Sequence, residues 1–513
     1  MNGAQTLAQT LVNCDVEVCF ANPGTSEMHL VGALDSNPRL RGVLCLFEGV
    51  AAGAADGYGR IAGKPAATLL HLGPGLANSL ANLHNARRAA TPIVNVVGDH
   101  ATDHVRYDAP LTADVIGIAR PVSAWVRRSR NAASVAGDAA RAVQAACAAP
   151  GGVATLIVPA DCAWSPAERA AERLPEIAPA VVPADAVESV ARLLANGKRS
   201  AILMRGPALI GDALEAAGRV QAKTGARLLC DTFAPHTQLG AGRVVVERLP
   251  YFAEQIVALL SGVEQLVLVG AEAPVSFFAY PGKPGYCAPE GCEIVYLAHA
   301  DEDGAKATID LADALGAPDK PSTRASLELP GLPTGALDVS AVVRTIAHLT
   351  PDDAIVVDEG LTASQALQAA LARARPHDHL PLTGGAIGGG LPMTVGAAVA
   401  APGRKVVCAQ ADGSGAYTMQ ALWTMARERL DATVVVFANR SYAILNIEAK
   451  RVGTSLGVKG RALLDLHDPE LNWTRIAAGL GVEASRATTA EEFADQYQSA
   501  MNGRGPRLIE AMI

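Results

Sequence analysis

Two apolar runs in the last third of the chain end in residues that can do chemistry. Residues 405–410 lead into Ala411-Asp412-Gly413-Ser414-Gly415, and residues 433–438 lead into Asn439-Arg440-Ser441-Tyr442. The stretch 418–429 between them reads as a helix with Leu422, Trp423 and Met425 on its buried side. Parallel strands joined by a helix end at the same sheet edge, which is where ligands of α/β folds bind. Asp412 and Asn439 therefore come side by side although 27 positions separate them. A carboxylate and an amide oxygen are hard donors suited to magnesium, which keeps few protein ligands and completes its octahedron with phosphate and water. Gly413 lets backbone approach closely, and N–H groups at the next helix start can meet a diphosphate. On spacing alone, a helix N-cap at Asp412 and a loop residue at Asn439 fit equally well.

A second set of candidates lies near the other end. The apolar residues 43–47 run into Glu48, followed by a small-residue stretch, 49–60, that reads as a helix. A carboxyl group at the end of a buried strand loses the water that stabilises its charge, which suits it to sharing a proton. The alternative is a first-turn glutamate held by the helix dipole. His71 follows another apolar run in Leu70-His71-Leu72-Gly73-Pro74-Gly75, and by itself reads as a satisfied strand-end histidine.

Rigid elements must hold these groups. Strand-like runs at 16–20, 43–47, 67–71, 92–97 and 153–158 alternate with helical stretches such as 77–90. A linker rich in Ala, Pro and charge is expected at 160–183. A second α/β unit follows, with strands near 200–204, 227–229, 265–269 and 293–297. A proline-containing linker at 316–337 precedes a third unit with strands near 354–357, 405–409 and 433–438. The expected fold class is α/β, with three doubly wound parallel-sheet domains at 1–165, 184–316 and 338–513.

Composition agrees with that architecture. A length of 513 residues suits about three domains. With 50% hydrophobic and 18% charged residues, a disordered chain is excluded. The net charge of −8 argues against a nucleic-acid footprint or an anionic membrane partner. Nine cysteines without a CxxC pair fit a reduced, cytoplasmic chain, and Cys287 and Cys292 lack the partners of a zinc site. Neither a signal peptide nor a membrane span is expected.

The segment Asp412-Gly413-Ser414, a helix, a strand and then Asn439 resembles the thiamine-diphosphate motif shared by acetolactate synthase, pyruvate oxidase and benzoylformate decarboxylase. Ala411 and Ala438 depart from the usual Gly-Asp-Gly and Asn-Asn. The resemblance implies Mg2+ held by Asp412, Asn439 and the Ser441 carbonyl, and a diphosphate contacted by Gly413, Ser414, Tyr442 and Ala443. Phe47-Glu48-Gly49-Val50-Ala51-Ala52-Gly53-Ala54-Ala55-Asp56-Gly57-Tyr58-Gly59-Arg60 is similar to the family's glutamate motif. Glu48 would then bond the cofactor's aminopyrimidine ring and promote loss of the thiazolium proton. Ile387, 25 residues before Asp412, matches the bulky aliphatic that props the bent cofactor; an ordinary core isoleucine is the alternative. The three domains become pyrimidine-binding, middle and diphosphate-binding. The family arrangement further implies a homo-oligomer, a dimer or tetramer, in which two subunits build each active site.

The resemblance says less about the substrate. Asn22-Pro23-Gly24-Thr25-Ser26-Glu27 is similar to a turn of benzoylformate decarboxylase, which matches Thr25 to a substrate-contacting serine and His71 to a catalytic histidine. That enzyme's second histidine has no counterpart in Pro274-Val275-Ser276-Phe277-Phe278-Ala279-Tyr280. Its loss favours acetolactate synthase-like chemistry, in which a decarboxylated 2-oxo acid is joined to a second carbonyl compound. Acetolactate synthase's Phe-Gln pair corresponds to Pro110 and Leu111, and its pocket tryptophan to about Glu448, which selects a polar substrate, faces solvent or pairs with Lys450. The FAD-associated Gly-Lys-Gly turn is missing around 231–240, so FAD is not expected. His100 and His104 either replace the missing acid or are plain loop residues. The overall resemblance is to shorter chains grouped with acetolactate synthase large subunits. The expected activity is decarboxylation with carboligation of 2-oxo acids; the alternatives are a simple benzoylformate-type decarboxylase and a non-catalytic homologue.

Overall fold

The computed structural model describes residues 1–321 and 323–513; Ser322, inside the second expected linker, lies outside the described residues. Three sheets follow one another along the chain. The first has six parallel strands in the spatial order Arg41–Leu44, Val18–Asn22, Ala66–Leu70, Ile93–Asp99, Val153–Pro159, Trp125–Arg128. The second has five, in the order Glu247–Arg248, Arg227–Cys230, Ser200–Met204, Gln265–Val269, Glu293–Ala298. The third runs Glu483–Ala487, Arg507–Met512, Ala432–Ala438, Val406–Ala411, Ala354–Glu359, His377–Pro381, and ends with Thr237–Leu239, the one antiparallel strand. The central strands are apolar on both faces because helices cover both sides of a parallel sheet.

That last strand comes from the loop after Arg227–Cys230 and pairs His379 with Thr237 through His377 with Leu239. The segment 231–240 thus leaves the middle sheet to extend the third one. Its three residues are too short to have shown a strand pattern.

Several expected elements shift. The strand expected at 43–47 is Arg41–Leu44, and Glu48 does not end it. Glu48 instead opens the helix Glu48–Ala62, with extended Phe47 as N-cap. The helix expected at 77–90 is Leu72–Ala89, since Pro74 sits in a first turn whose N–H groups have no helical partners. The helix expected at 418–429 is Ala421–Arg427; Leu422 and Met425 are buried, whereas Trp423 is half-buried with the Arg427 guanidinium over its ring. Glu448 pairs with Arg451 at 2.9 Å rather than with Lys450, because three residues along a helix bring side chains together and two do not.

The first and third domains meet along the helices Glu48–Ala62 and Gly390–Ala400, which touch backbone to backbone. A Cβ on Gly396 would lie 1.8 Å from the Ala54 carbonyl, and one on Gly57 would lie 2.1 Å from the Met393 carbonyl. Here the chain's richness in Gly and Ala has a structural consequence: only hydrogen fits at these two positions. A buried Arg60–Asp56 pair beside this contact extends it, with Arg60 donating to the Pro381 carbonyl (2.8 Å) and to Thr383 (3.0 Å).

Candidate functional site

The candidate residues gather where the strand order of each outer sheet reverses. In the first sheet that point lies between Val18–Asn22 and Ala66–Leu70, whose following loops carry Thr25 and His71. In the third it lies between Ala354–Glu359 and Val406–Ala411, followed by Gly360 and Asp412. Diverging connections leave a crevice at such a point.

Val406–Ala411 and Ala432–Ala438 pair in parallel with Ala411 opposite Phe437, so Asp412 and Asn439 leave neighbouring strand ends. Asp412 is buried. Its two oxygens accept from the Gly413 N–H (2.8 Å) and, across the gap, from the Arg440 N–H (2.6 Å). Among the described residues, no ion pair neutralises it, and burial pushes its carboxyl above the usual carboxylate range against the pull of those N–H groups. Asn439 Oδ1 accepts from the Ser441 N–H at 2.9 Å. Ser414 is buried and donates to the Ala411 carbonyl. The Tyr442 ring lies over Gly413, where a Cβ would come within 2.6 Å of it, and Ala443 starts the helix Ala443–Arg451. This donor set fits a hard cation: a buried carboxylate with no cationic partner and an amide oxygen beside it. Among the described residues, no group of three His, Cys, Asp or Glu side chains gathers to hold a metal ion.

Ile387 is half-buried in the turn between Pro381 and the helix Gly390–Ala400. This turn is held from both sides. From the first domain, Asn85 accepts from the Ala386 N–H (3.2 Å) and donates to the Ala386 carbonyl (2.7 Å), pairing with it as another peptide would. Asn82 donates to the carbonyls of Gly49 (2.8 Å) and Gly388 (3.3 Å). One side chain thus ties the backbone beside Glu48 to the backbone beside Ile387. From the third domain, Glu359 accepts from the N–H groups of Gly388, Gly389 and Gly390.

Glu48 is 8% exposed, accepts from Asn78 Nδ2 at 3.0 Å, and faces Gly75. Among the described residues, no hydrogen bond or ion pair joins it to the Asp412–Ser441 segment. His71 caps the helix that follows it, and its Nδ1 lies 2.7 Å from Glu27. Glu27 is fully buried and also accepts from the Gly24 N–H (2.8 Å) and Ser26 Oγ (2.5 Å). With Nδ1 committed to the carboxylate, Nε2 is the ring nitrogen left to serve as acid or base. Gly24 has no room for a Cβ against the His71 ring, so the turn sits directly on the imidazole. Thr25 is exposed at the start of that turn. The His100 and His104 rings lie 5.7 Å apart and tilted by 50° on a separate loop, and neither bonds His71 among the described residues.

Sequence reasoning missed Glu27, Glu359, Gln410 and the Asn82–Asn85 pair as parts of the site. Glu27 had a signal, three residues after Gly24 in a turn already singled out. The others had none, because their partners lie far away in the chain. In the stretch lacking the second histidine, Phe277 rests against Gly385, two residues before Ile387, and packs with Phe233, Tyr251 and Phe278.

Comparison with known proteins points the same way. The thiamine pyrophosphate enzyme N-terminal TPP binding domain matches residues 1–117, and the C-terminal TPP binding domain matches residues 359–511. The chain is 53% identical to "Putative acetolactate synthase large subunit IlvX" of Mycobacterium tuberculosis, over 100% of this chain and 99% of that one. It is 30% identical to benzoylformate decarboxylase of Pseudomonas aeruginosa, over 96% and 95% of the two chains. The solved structure of a thiamine diphosphate-dependent 4-hydroxybenzoylformate decarboxylase from Rhodococcus jostii superimposes with a TM-score of 0.87 at 22% identity, covering 100% and 99% of the chains.

Proposed function

The chain belongs to the thiamine pyrophosphate enzyme family, and from that premise we propose that it decarboxylates a 2-oxo acid and joins the remaining fragment to a second carbonyl compound, in the manner of acetolactate synthase. Asp412 and Asn439, with the Ser441 carbonyl, would hold Mg2+. Gly413, Ser414, Tyr442 and Ala443 would meet the diphosphate, and Ile387 would support the bent cofactor. When bound, thiamine diphosphate supplies the electron sink that lets carbon dioxide leave a 2-oxo acid.

The chain's own residues do the rest. Glu48, shielded from water and steadied by Asn78, shares a proton with the aminopyrimidine ring. His71, aligned by Glu27, holds or moves a proton at Nε2 beside the substrate. Thr25, exposed in the turn that sits on His71, would contact the substrate. Active sites shared between two subunits of a homo-oligomer complete the proposal.

The observation that carries ligation over simple release is the segment at Phe277. In the segment 274–280 an aromatic ring, Phe277, rests against Gly385, so this segment supplies no imidazole to deliver the proton that aldehyde release requires. The second reading, a benzoylformate-type decarboxylase, is favoured by the Glu27–His71 pair, which supplies one proton carrier. Incubation with pyruvate and with benzoylformate, with and without an acceptor aldehyde, followed by mass analysis, separates the two. Hydroxyketone or acetohydroxy acid products support ligation; aldehyde as the sole product refutes it.

A further inference from the structure

Glu359 is the last residue of its strand and 1% exposed, yet among the described residues no ion pair neutralises it. Its carboxylate is instead ringed by donors. Oε1 accepts from the N–H groups of Gly388 (2.6 Å) and Gly389 (3.3 Å), and Oε2 accepts from Gly390 N–H (2.7 Å) and Gln410 Nε2 (2.9 Å). Gln410 Nε2 also lies 2.6 Å from Ser414 Oγ. A Cβ on Gly390 would fall 2.5 Å from Gln410 Oε1 and 2.9 Å from Glu359 itself, so the turn is pressed onto this pair. The carbonyl of Gly388, turned the other way by a φ of +95°, accepts from Thr418 Oγ1 at 2.9 Å.

One buried carboxylate therefore connects two segments that share no strand: the turn bearing Ile387 and, through Gln410, the turn Asp412–Ser414. It also lies at the positive end of the helix Gly390–Ala400, which favours its charge. Desolvation of an unpaired carboxylate is costly, and burial pushes its carboxyl up, while four donors on its two oxygens pull the other way and fix it in place. A core with no positional demand is served as well by an apolar side chain.

We infer that Glu359 is a positioning residue that sets the height and tilt of the Ile387 turn relative to the Asp412–Ser414 turn, and so sets the shape of the cofactor cradle. The inference rests on the proposed cofactor contacts of those two turns. Its distinctive consequence is that Glu359 acts through Ile387.

The test is a double-mutant cycle on thiamine diphosphate affinity, measured by calorimetry in the presence of Mg2+. In Glu359→Gln an NH2 group replaces one oxygen, so donor faces donor on one side of the ring. The cost of such a mismatch predicts affinity weakened by about tenfold or more. With Ile387→Ala already in place, the same change should weaken binding by at most about threefold, because what it positions is gone. Equal affinity for Glu359→Gln and wild type, or full additivity with Ile387→Ala, overturns the inference and leaves the proposed function standing. No binding by the wild type overturns the proposed function and this inference with it. If Glu359→Gln does not fold, Gln410→Met, which removes one of the four donors and the link to Ser414, is taken through the same cycle with the same criteria.

Discussion

Replacing Gly396 by alanine should unseat the two helices that carry the site. The new methyl group would lie 1.8 Å from the Ala54 carbonyl oxygen and 2.5 Å from the Tyr58 nitrogen. Both are main-chain atoms of a buried helix, so no rotamer change relieves the overlap. Restoring van der Waals contact requires the helices to part by about 1.5 Å. Overpacking costs about 1–3 kcal/mol when side chains can adjust, and a backbone clash places this substitution at about 3 kcal/mol. For a cooperative unit of about 150–250 residues, the size of one domain, that lowers the melting temperature by about 6–12 °C. The same displacement would stretch the Asn82 bridge, now 2.8 Å and 3.3 Å long, beyond hydrogen-bond reach, so affinity for thiamine diphosphate should fall as well. Gly32→Ala is the control: it makes the same change at an exposed position of the helix Met28–Asp35, where an added Cβ meets nothing within 4 Å. Alanine there should be neutral or stabilising by up to about 1 kcal/mol. Thermal melting of both variants, with and without cofactor and Mg2+, decides the matter. Equal melting temperatures would refute the reasoning that these helices meet through their backbones.

Two further outcomes follow from buried ionisable groups. Burial pushes the His377 imidazole down to about 4 from an ordinary 6.5. The unfolded chain therefore binds the extra proton between about pH 4 and 6.5, so stability contributed here rises with pH across that window and is lost as pH falls through it. His377→Leu should flatten the pH dependence of unfolding free energy in that range, by up to about 3 kcal/mol, and an unchanged slope in denaturant titrations across it would count against it. Glu27→Gln should leave thiamine diphosphate binding intact but reduce turnover of a 2-oxo acid by about tenfold or more, since His71 loses the charge that aligns its ring; calorimetry beside a steady-state assay checks both halves.

What could be read from the sequence depended on distance along the chain. Asp412 and Asn439 were legible because each ends a long apolar run and one helix separates them, so local pattern alone brings them together. Glu48 was legible as a residue but not in its setting: Leu46 is apolar yet exposed, the strand stops at Leu44, and only tertiary contact decides that the helix begins at Glu48. The strand Thr237–Leu239 left no trace, since it is stabilised by an edge belonging to another sheet. Glu359 and Asn85 act on N–H and C=O groups about 30 and 300 residues away, and no spacing rule reaches that far. Glycines were the least legible of all. Gly396 resembles many others in an Ala/Gly-rich chain, and its role appears only when the carbonyl of Ala54 is placed against it.

The central claim is that Glu48 promotes loss of the thiazolium proton of bound thiamine diphosphate. The direct measurement is exchange of that proton for deuterium in the wild type and in Glu48→Gln, both saturated with cofactor and Mg2+ and followed by magnetic resonance after rapid quenching. Both proteins should bind the cofactor, with exchange slowed by about a hundredfold or more in the variant, because an amide cannot share the proton as a carboxyl group does. Equal exchange rates in the two proteins would contradict it.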